Sequence, residues 1–408
     1  LPTILWLGAK AVNNLTGLDL ILAMILLGLL SLAYSLYGGL KAVAFTDVIQ
    51  VILLIFGGLY VSYIGLNAIS DGNGIWEGFV TLQANFPEKF DAILSYVPKD
   101  QDPEAYANYV KLPGIWVLIG GMWIAHFYYW GTNQYITQRA LGAKNLNEAQ
   151  NGLMFAGFLK ILMPVVVVLP GLVAVALNAN GTLSIGEERS EAYPSMLSLL
   201  PNGILGLTFA ALVAAIVSSL ASLTNSVSTI FTMDLYRREN QDIQDKSLVN
   251  IGRIAGFAGL VTSIVIAPIF LGSLESAFQY VQEYMGLFSP VILFVFLSAI
   301  VLKNSTSNSV LWGSAAALAA GVVMKLYVAK TEWVFLIEGT TESLIEPFLH
   351  QMVISFFLAF AVSAVLSPSY KSAKVFNLSA NDFKTSKLFN IGSIIIVVIL
   401  AAIYINYA

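Results

Sequence analysis

Ten apolar runs, each close to the thickness of a bilayer's hydrocarbon core, leave this chain little choice of environment. They lie near 18–37, 43–69, 114–135, 152–177, 204–233, 251–271, 275–302, 309–328, 345–367 and 389–407. Residues 1–13 read as part of an eleventh. A helix needs about 20 apolar residues to cross the roughly 30 Å core, and a single soluble domain would not carry so many such runs. Composition agrees. The 408 residues are 57% hydrophobic and only 11% charged, where soluble domains carry roughly a quarter charged. The expected fold class is therefore an all-α polytopic membrane protein. The chain has no cysteine, which excludes disulfides and thiolate metal sites. Its net charge of −4 gives no sign of a nucleic-acid partner. The opening "LPTILWLGAKAVNN" lacks an initiator methionine and a secretion signal. It reads as the last turns of an apolar helix, so N-terminal helices are expected to be missing.

Loop charge sets the orientation, because cytoplasmic loops collect Lys and Arg. One set of loops holds Lys41, Arg139, Lys144, Arg237, Arg238, Lys246, Arg253, Lys303, Lys371, Lys374, Lys384 and Lys387, twelve of the 20 basic residues. The opposite set holds five: Lys89, Lys99, Lys111, Arg189 and Lys330. The first set is expected to be cytoplasmic, which puts the C-terminus outside. Segment 71–112 is acidic and external, with short amphipathic pieces expected around "EKFDAILSYV" and "PEAYANYV". No soluble catalytic domain is left over.

Several polar residues lie at membrane depth. In "AAIVSSLASLTNS" (214–226), Ala211, Ala215, Ser218, Ser222 and Asn225 recur at spacings of three or four and share a helix face, with Ser219 beside them. Such a face suits close helix packing in lipid. The Ser218 and Ser219 hydroxyls also suit a small hard cation, which freed backbone carbonyls can help to hold. The two readings can coexist. Lys160 sits about 12 Å into its span at the helical rise per residue; it either snorkels to the interface or faces a polar cavity. Pro164 cannot donate to the carbonyl of Lys160, which loosens the backbone at that depth. His126 is too deep for an interfacial aromatic belt. With Tyr129 it reads either as packing or as a sugar-contacting pair, an aromatic face to stack and an imidazole to hydrogen-bond. Gly120 and Gly121 weaken that span. In "ESAFQYVQEYMG", Phe278 and Gln282 share a face; Glu275 and Glu283 suggest a water-accessible outer end, or simply a polar helix terminus. Asp47 reads as an interfacial acid or as the lining of a cation exit path.

Taken in order, "YSLYGGLKAVAFTDVIQ", "YYWGTNQYITQRAL", "AAIVSSLASLTNS" followed by "TIFTMDLY", and "FQYVQEYMGLFSP" resemble the sodium/solute symporter family, on the side of its sugar transporters. The resemblance covers essentially the whole chain. It implies a LeuT-like core of two inverted five-helix repeats with peripheral helices outside it. Residues 1–70 would then be the last three helices of the first repeat, the first of them partial, and 71–113 an external loop. Residues 114–302 would be the second repeat, and 303–408 three peripheral helices. The resemblance further implies that Ser218, Ser219 and the Ala215 carbonyl bind Na⁺, and that Asp47 lines its release path. Lys160 and Gln282 would contact sugar, Tyr129 would form the inner stacking gate, and Phe278 part of the outer gate. His126 departs from the family's sugar pattern, which carries Asn there. It keeps one hydrogen bond but is bulkier and can ionise, which bears on galactose more than on sugars generally.

The expected function is inward Na⁺ flux coupled to uptake of a galactose- or glucose-like sugar in the inner (plasma) membrane. The expected partners are sodium, a small sugar, membrane lipid and, as an assembly, a homodimer; no nucleic acid is expected. The alternative within the family is a carboxylate, amino acid or sialic acid cargo, with Lys160 as counter-charge. A non-transporting solute sensor is a further alternative, against which stands the lack of an output domain. No catalytic nucleophile–base–acid set is present, since His126 and His350 lie on distant segments.

Overall fold

The computed structural model describes residues 1–185, 191–239, 244–271, 277–302, 304–328, 345–367, 379 and 383–407; the side chains of 36–43, 119, 277 and 278 are not among those described. The described residues are helical and contain no strand. In chain order the helices are α1 (Pro2–Thr16), α2 (Leu20–Ile69), α3 (Ile75–Asn85), α4 (Pro103–Lys111), α5 (Gly114–Ile119) and α6 (Gly121–Phe127). There follow α7 (Gln134–Leu141), α8 (Leu146–Met163), α9 (Leu169–Ala179), α10 (Ala192–Leu197), α11 (Asn202–Thr229) and the short α12 (Arg237–Glu239). The last are α13 (Asp245–Leu271), α14 (Ala277–Val301), α15 (Ser307–Val328), α16 (Phe348–Leu366) and α17 (Lys387–Tyr407). Three π-helical segments, Tyr128–Thr132, Pro164–Val168 and Ile230–Tyr236, interrupt or extend them.

Eight of these helical stretches are long and apolar enough to cross a membrane, and up to ten spans result if two bent pairs each count as one. The chain is a multi-spanning membrane protein. Helix α17 makes the environment plain, with Val397 and Val398 63% and 61% exposed in the middle of an apolar helix, which only lipid would cover.

Three local expectations change. The runs 18–37 and 43–69 share one unbroken helix, α2, through Gly38, Gly39 and Lys41, the stretch expected to be a loop. Glycine costs a helix about 1 kcal/mol but does not stop it, and no proline intervenes. The run 114–135 is broken at Gly120, where the chain bends by 80° between the flanking helical stretches. In segment 71–112, α4 covers "PEAYANYV", capped by the Asp102 carboxylate on the amides of Glu104 and Ala105. "EKFDAILSYV" instead forms no helix beyond a turn at Pro87–Lys89. It lies between Pro87 and Pro98, and proline disfavours helix in the residue before it.

The chain divides into two compact units, Leu1–Phe90 with Ala156–Tyr280, and Asp91–Phe155 with Val281–Ala408. In the first unit, α1, α2, α11 and α13 enclose Leu5, Trp6, Met24, Leu27, Leu220 and Leu260. A second cluster, around Val61, Leu82, Val173 and Leu197, joins α2, α3, α9 and α10. Helices α1 and α2 meet at a 119° bend. Gly17 caps α1 in the left-handed region at φ 71, and the Asp19 carboxylate caps α2 on the amide of Leu22.

In the second unit, α15 pairs with α16, and Ala317 and Ala359 are buried together with Phe294 of α14. Helix α6 lies against α16 around Ile124, Leu349 and Met352. The Gln150 side chain holds the start of α17, donating to the Lys384 carbonyl at 3.0 Å and accepting from the Ser386 amide at 2.9 Å. The Tyr106 hydroxyl of α4 donates to Glu346.

Candidate functional site

The hydroxyl-rich stretch Ala214–Ser226 occupies α11, whose pairing with α2 is the most extensive in the first unit. Ser218 and Ser222 are buried, at 2% and 0% exposure. Their small side chains allow the close approach that lipid-embedded helices favour, so the packing reading holds. The same face also carries chemistry. Ser218 Oγ donates a hydrogen bond to Asp47 Oδ1 of α2. A carboxylate at membrane depth is costly unless it is hydrogen-bonded, and this bond supplies a partner.

The bond also orients the serine. A hydroxyl has one hydrogen and two lone pairs. With the hydrogen committed to Asp47, the lone pairs of Ser218 remain available to a cation. Ser219 and Ala215, half-buried on the same helix, lie one residue and about one turn away. Among the described residues no three His, Asp or Glu side chains gather as a metal cage. An ion held here would rely on hydroxyl and carbonyl oxygens beside one carboxylate.

A second α2–α11 bond lies further along. Ser35 Oγ donates to Asn225 Oδ1 at 2.7 Å, seven residues from Ser218 and so about 10 Å along the helix. Sequence reasoning missed Ser35. Its signal was a hydroxyl in an apolar run, four residues after Ser31, also buried, and on the same face.

Lys160 stands exposed on the last turn of α8. The next segment, Pro164–Val168, is π-helical, as expected where a proline withdraws its donor; such turns recur at functional positions. Ser62 Oγ of α2 donates to the Val165 carbonyl at 2.7 Å. The disturbance foreseen at Lys160 is thus taken up one turn later and capped from α2.

In the second unit, α6 follows the break at Gly120. A Cβ on Gly121 would lie 2.2 Å from the Leu349 carbonyl oxygen, so α6 and α16 meet backbone to backbone. His126 is exposed on the last turn of α6. Tyr129, half-buried, belongs to the π-helical segment and meets Trp130 edge-on at 5.2 Å. Gln282 is exposed on α14. Its neighbour Glu283 pairs with Lys325 of α15 at 3.2 Å, and the Lys325 ammonium also lies over the Tyr284 ring. Glu283 is therefore an ion-pair partner. Phe278 lies on α14 with its side chain outside the described residues, and Glu275 is likewise outside them. Of the expected site residues, Asp47 and Ser218 are in contact. Lys160 belongs to the first unit; His126, Tyr129 and Gln282 belong to the second.

The family model for the sodium:solute symporter family matches residues 4–317. The sodium/glucose cotransporter of Vibrio parahaemolyticus is 39% identical, over 99% of this chain and 73% of its own length. The human sodium/myo-inositol cotransporter 2 is 32% identical, over 78% of this chain and 49% of its own length. The chain therefore spans about three-quarters of one relative and half of the other. Among solved structures, a Na⁺-coupled sialic acid symporter in a substrate-bound, outward-open state matches with a TM-score of 0.71 at 23% identity. That match covers 92% of this chain and 72% of that one, and it establishes the LeuT-like symporter fold.

Proposed function

The chain belongs to the sodium:solute symporter family, and on that premise we propose that it couples inward Na⁺ flux to uptake of a hexose-like sugar by alternating access. The family is one of sodium-coupled transporters rather than enzymes, and Na⁺ is the co-transported ion. The observation that carries the reading is the Ser218–Asp47 hydrogen bond. It couples a hydroxyl suited to a small hard cation to the one acid of α2 in the region of the α11 contact. Ser218, Ser219 and the Ala215 carbonyl hold the ion in this reading. When the ion leaves, Asp47 is the first carboxylate it meets on its way to the cytoplasm.

Coupling requires that Na⁺ bind one conformation better than the other, since a ligand shifts an equilibrium only through differential affinity. An ion bridging α11 to another helix does so, because its oxygens come together in one arrangement alone. In this reading, by resemblance alone, Lys160, His126 and Gln282 are the hydrogen-bonding residues for sugar. The same resemblance gives Tyr129 the role of inner gate and Phe278 that of part of the outer gate. The neutral-sugar reading is supported by the 39% identity to a sodium/glucose cotransporter. The second reading, a carboxylate cargo such as sialic acid with Lys160 as counter-charge, has the solved structure in its favour. The setting in either case is the inner (plasma) membrane.

The test uses the purified protein in proteoliposomes, with labelled galactose and glucose under an inward Na⁺ gradient, and again with K⁺ replacing Na⁺. Sodium-dependent accumulation that unlabelled sugar suppresses is the expected result. If labelled sialic acid accumulates instead, and Lys160→Gln abolishes its uptake, the anionic reading replaces the sugar one.

A further inference from the structure

Two charges of the second unit face each other from membrane-spanning helices and have no part in the function proposed above. Lys325, in the last turn of α15, pairs with Glu283 of α14 at 3.2 Å. Their side chains are 27% and 34% exposed, and the ammonium also lies 4.1 Å from the centre of the Tyr284 ring. A charge within a membrane span is costly unless it is paired, and this ammonium is held from two directions, by a carboxylate and by an aromatic face. A partly buried pair is also screened less by salt than one on an open surface.

The contact does more than neutralise charge. Glu283 and Tyr284 are consecutive, about 100° apart around α14, so one lysine that touches both fixes the rotation of that helix about its axis. One turn further into both helices a second contact keeps the same antiparallel register: a Cβ on Gly321 would lie 3.1 Å from a Leu287 methyl. Beyond it, Pro290 lies inside α14 and cannot donate to the Gly286 carbonyl. The turns from Ala277 to Gly286 thus join the rest of the helix through a weakened link, and their direction depends on what holds them from the side. Those turns carry Gln282, exposed and next to Glu283. We infer that the Glu283–Lys325 pair, with Tyr284, is a positioning clamp that sets the direction of Gln282 and, on the cargo reading of that residue given above, the affinity for cargo. Neither charge touches the cargo; the clamp acts through the rotation and tilt of α14.

Two readouts on the purified protein test the clamp. The first is uptake of labelled galactose into proteoliposomes. Lys325→Met and Glu283→Gln should each raise the galactose concentration for half-maximal uptake about fivefold, within the usual range for coupled neighbours, with little change in maximal rate. The double variant should be no worse than either alone, because it leaves no unpaired charge behind, and Lys325→Arg should keep most of the affinity. The Na⁺-induced rise in the unfolding midpoint without sugar should be the same in all of them. The second readout needs no cargo. The chain has no cysteine, so a nitroxide on Gln282→Cys reports that turn alone. Its spectrum should change with Lys325→Met and not with Lys325→Arg. If the unaltered protein takes up no galactose, the sugar reading fails; labelled sialic acid then serves in the first readout, and the nitroxide decides the clamp. An unchanged nitroxide spectrum overturns the proposal. So does a fall in maximal rate with half-saturation unchanged, or a loss of the Na⁺ response alongside sugar affinity, since either marks ordinary damage to the fold.

Discussion

A hydroxyl that packs and a hydroxyl that binds an ion are the same atom at Ser218. Its 2% exposure satisfies the helix contact, and its bond to Asp47 leaves oxygen lone pairs for a cation. Ser219 has no such structural duty beyond its half-buried position, which makes it the cleaner probe. Ser219→Ala should raise the Na⁺ concentration for half-maximal uptake several-fold while leaving expression and thermal stability unchanged. Asp47→Asn keeps an oxygen for Ser218 to donate to but loses the charge. A charge-assisted hydrogen bond is worth roughly 1 kcal/mol more than a neutral one, so a shift of about fivefold in the same uptake assay is expected. An unchanged sodium dependence in both variants would leave this face with packing alone.

At the scale of the element, glycine and proline decided the outcome. Residues 120 and 121 were legible as weak points, and the chain does bend there. Nothing in the local pattern, however, revealed that α16 would press its backbone against Gly121, because the partner lies more than 200 residues away. A methyl 2.2 Å from the Leu349 oxygen cannot be accommodated without movement. Gly121→Ala should therefore lower stability by about 1–3 kcal/mol, measured by thermal unfolding in detergent. Gly152→Ala, in a helix with nothing within 4 Å of the added carbon, should be neutral or stabilising by up to about 1 kcal/mol. Pro164 was equally legible as a disturbance. That Ser62 would cap the Val165 carbonyl was not, for the same reason of distance along the chain.

For the whole molecule, loop charge predicts a definite orientation. With no native cysteine, single-cysteine labelling reads it directly. Ser247→Cys, exposed in the first turn of α13 beside Lys246, should react with a membrane-impermeant thiol reagent only from the cytoplasmic side. Ser95→Cys, exposed in the segment between α3 and α4, should react only from outside. Exchange of the two sides would reverse the assigned topology, and reaction of both from one side would break it. The grouping of helices is a separate matter. The expected repeat boundary at residue 114 is one of sequence order, whereas the compact units take Ala156–Tyr280 with the first ninety residues and Asp91–Phe155 with the C-terminal helices. Helices pack with whichever neighbour completes their apolar face, and that neighbour need not be next in the chain.

What the sequence determined by itself was the solvent, the helical class and the family. Apolar run length, loop charge and local motifs are properties of short segments, and a bilayer reads them one helix at a time. What only the tertiary structure decided was pairing: Ser218 with Asp47, Ser35 with Asn225, and Glu283 with Lys325. Each of these depends on which helix faces move together. Faces rich in small and apolar residues can meet many partners, and no local pattern selects among them.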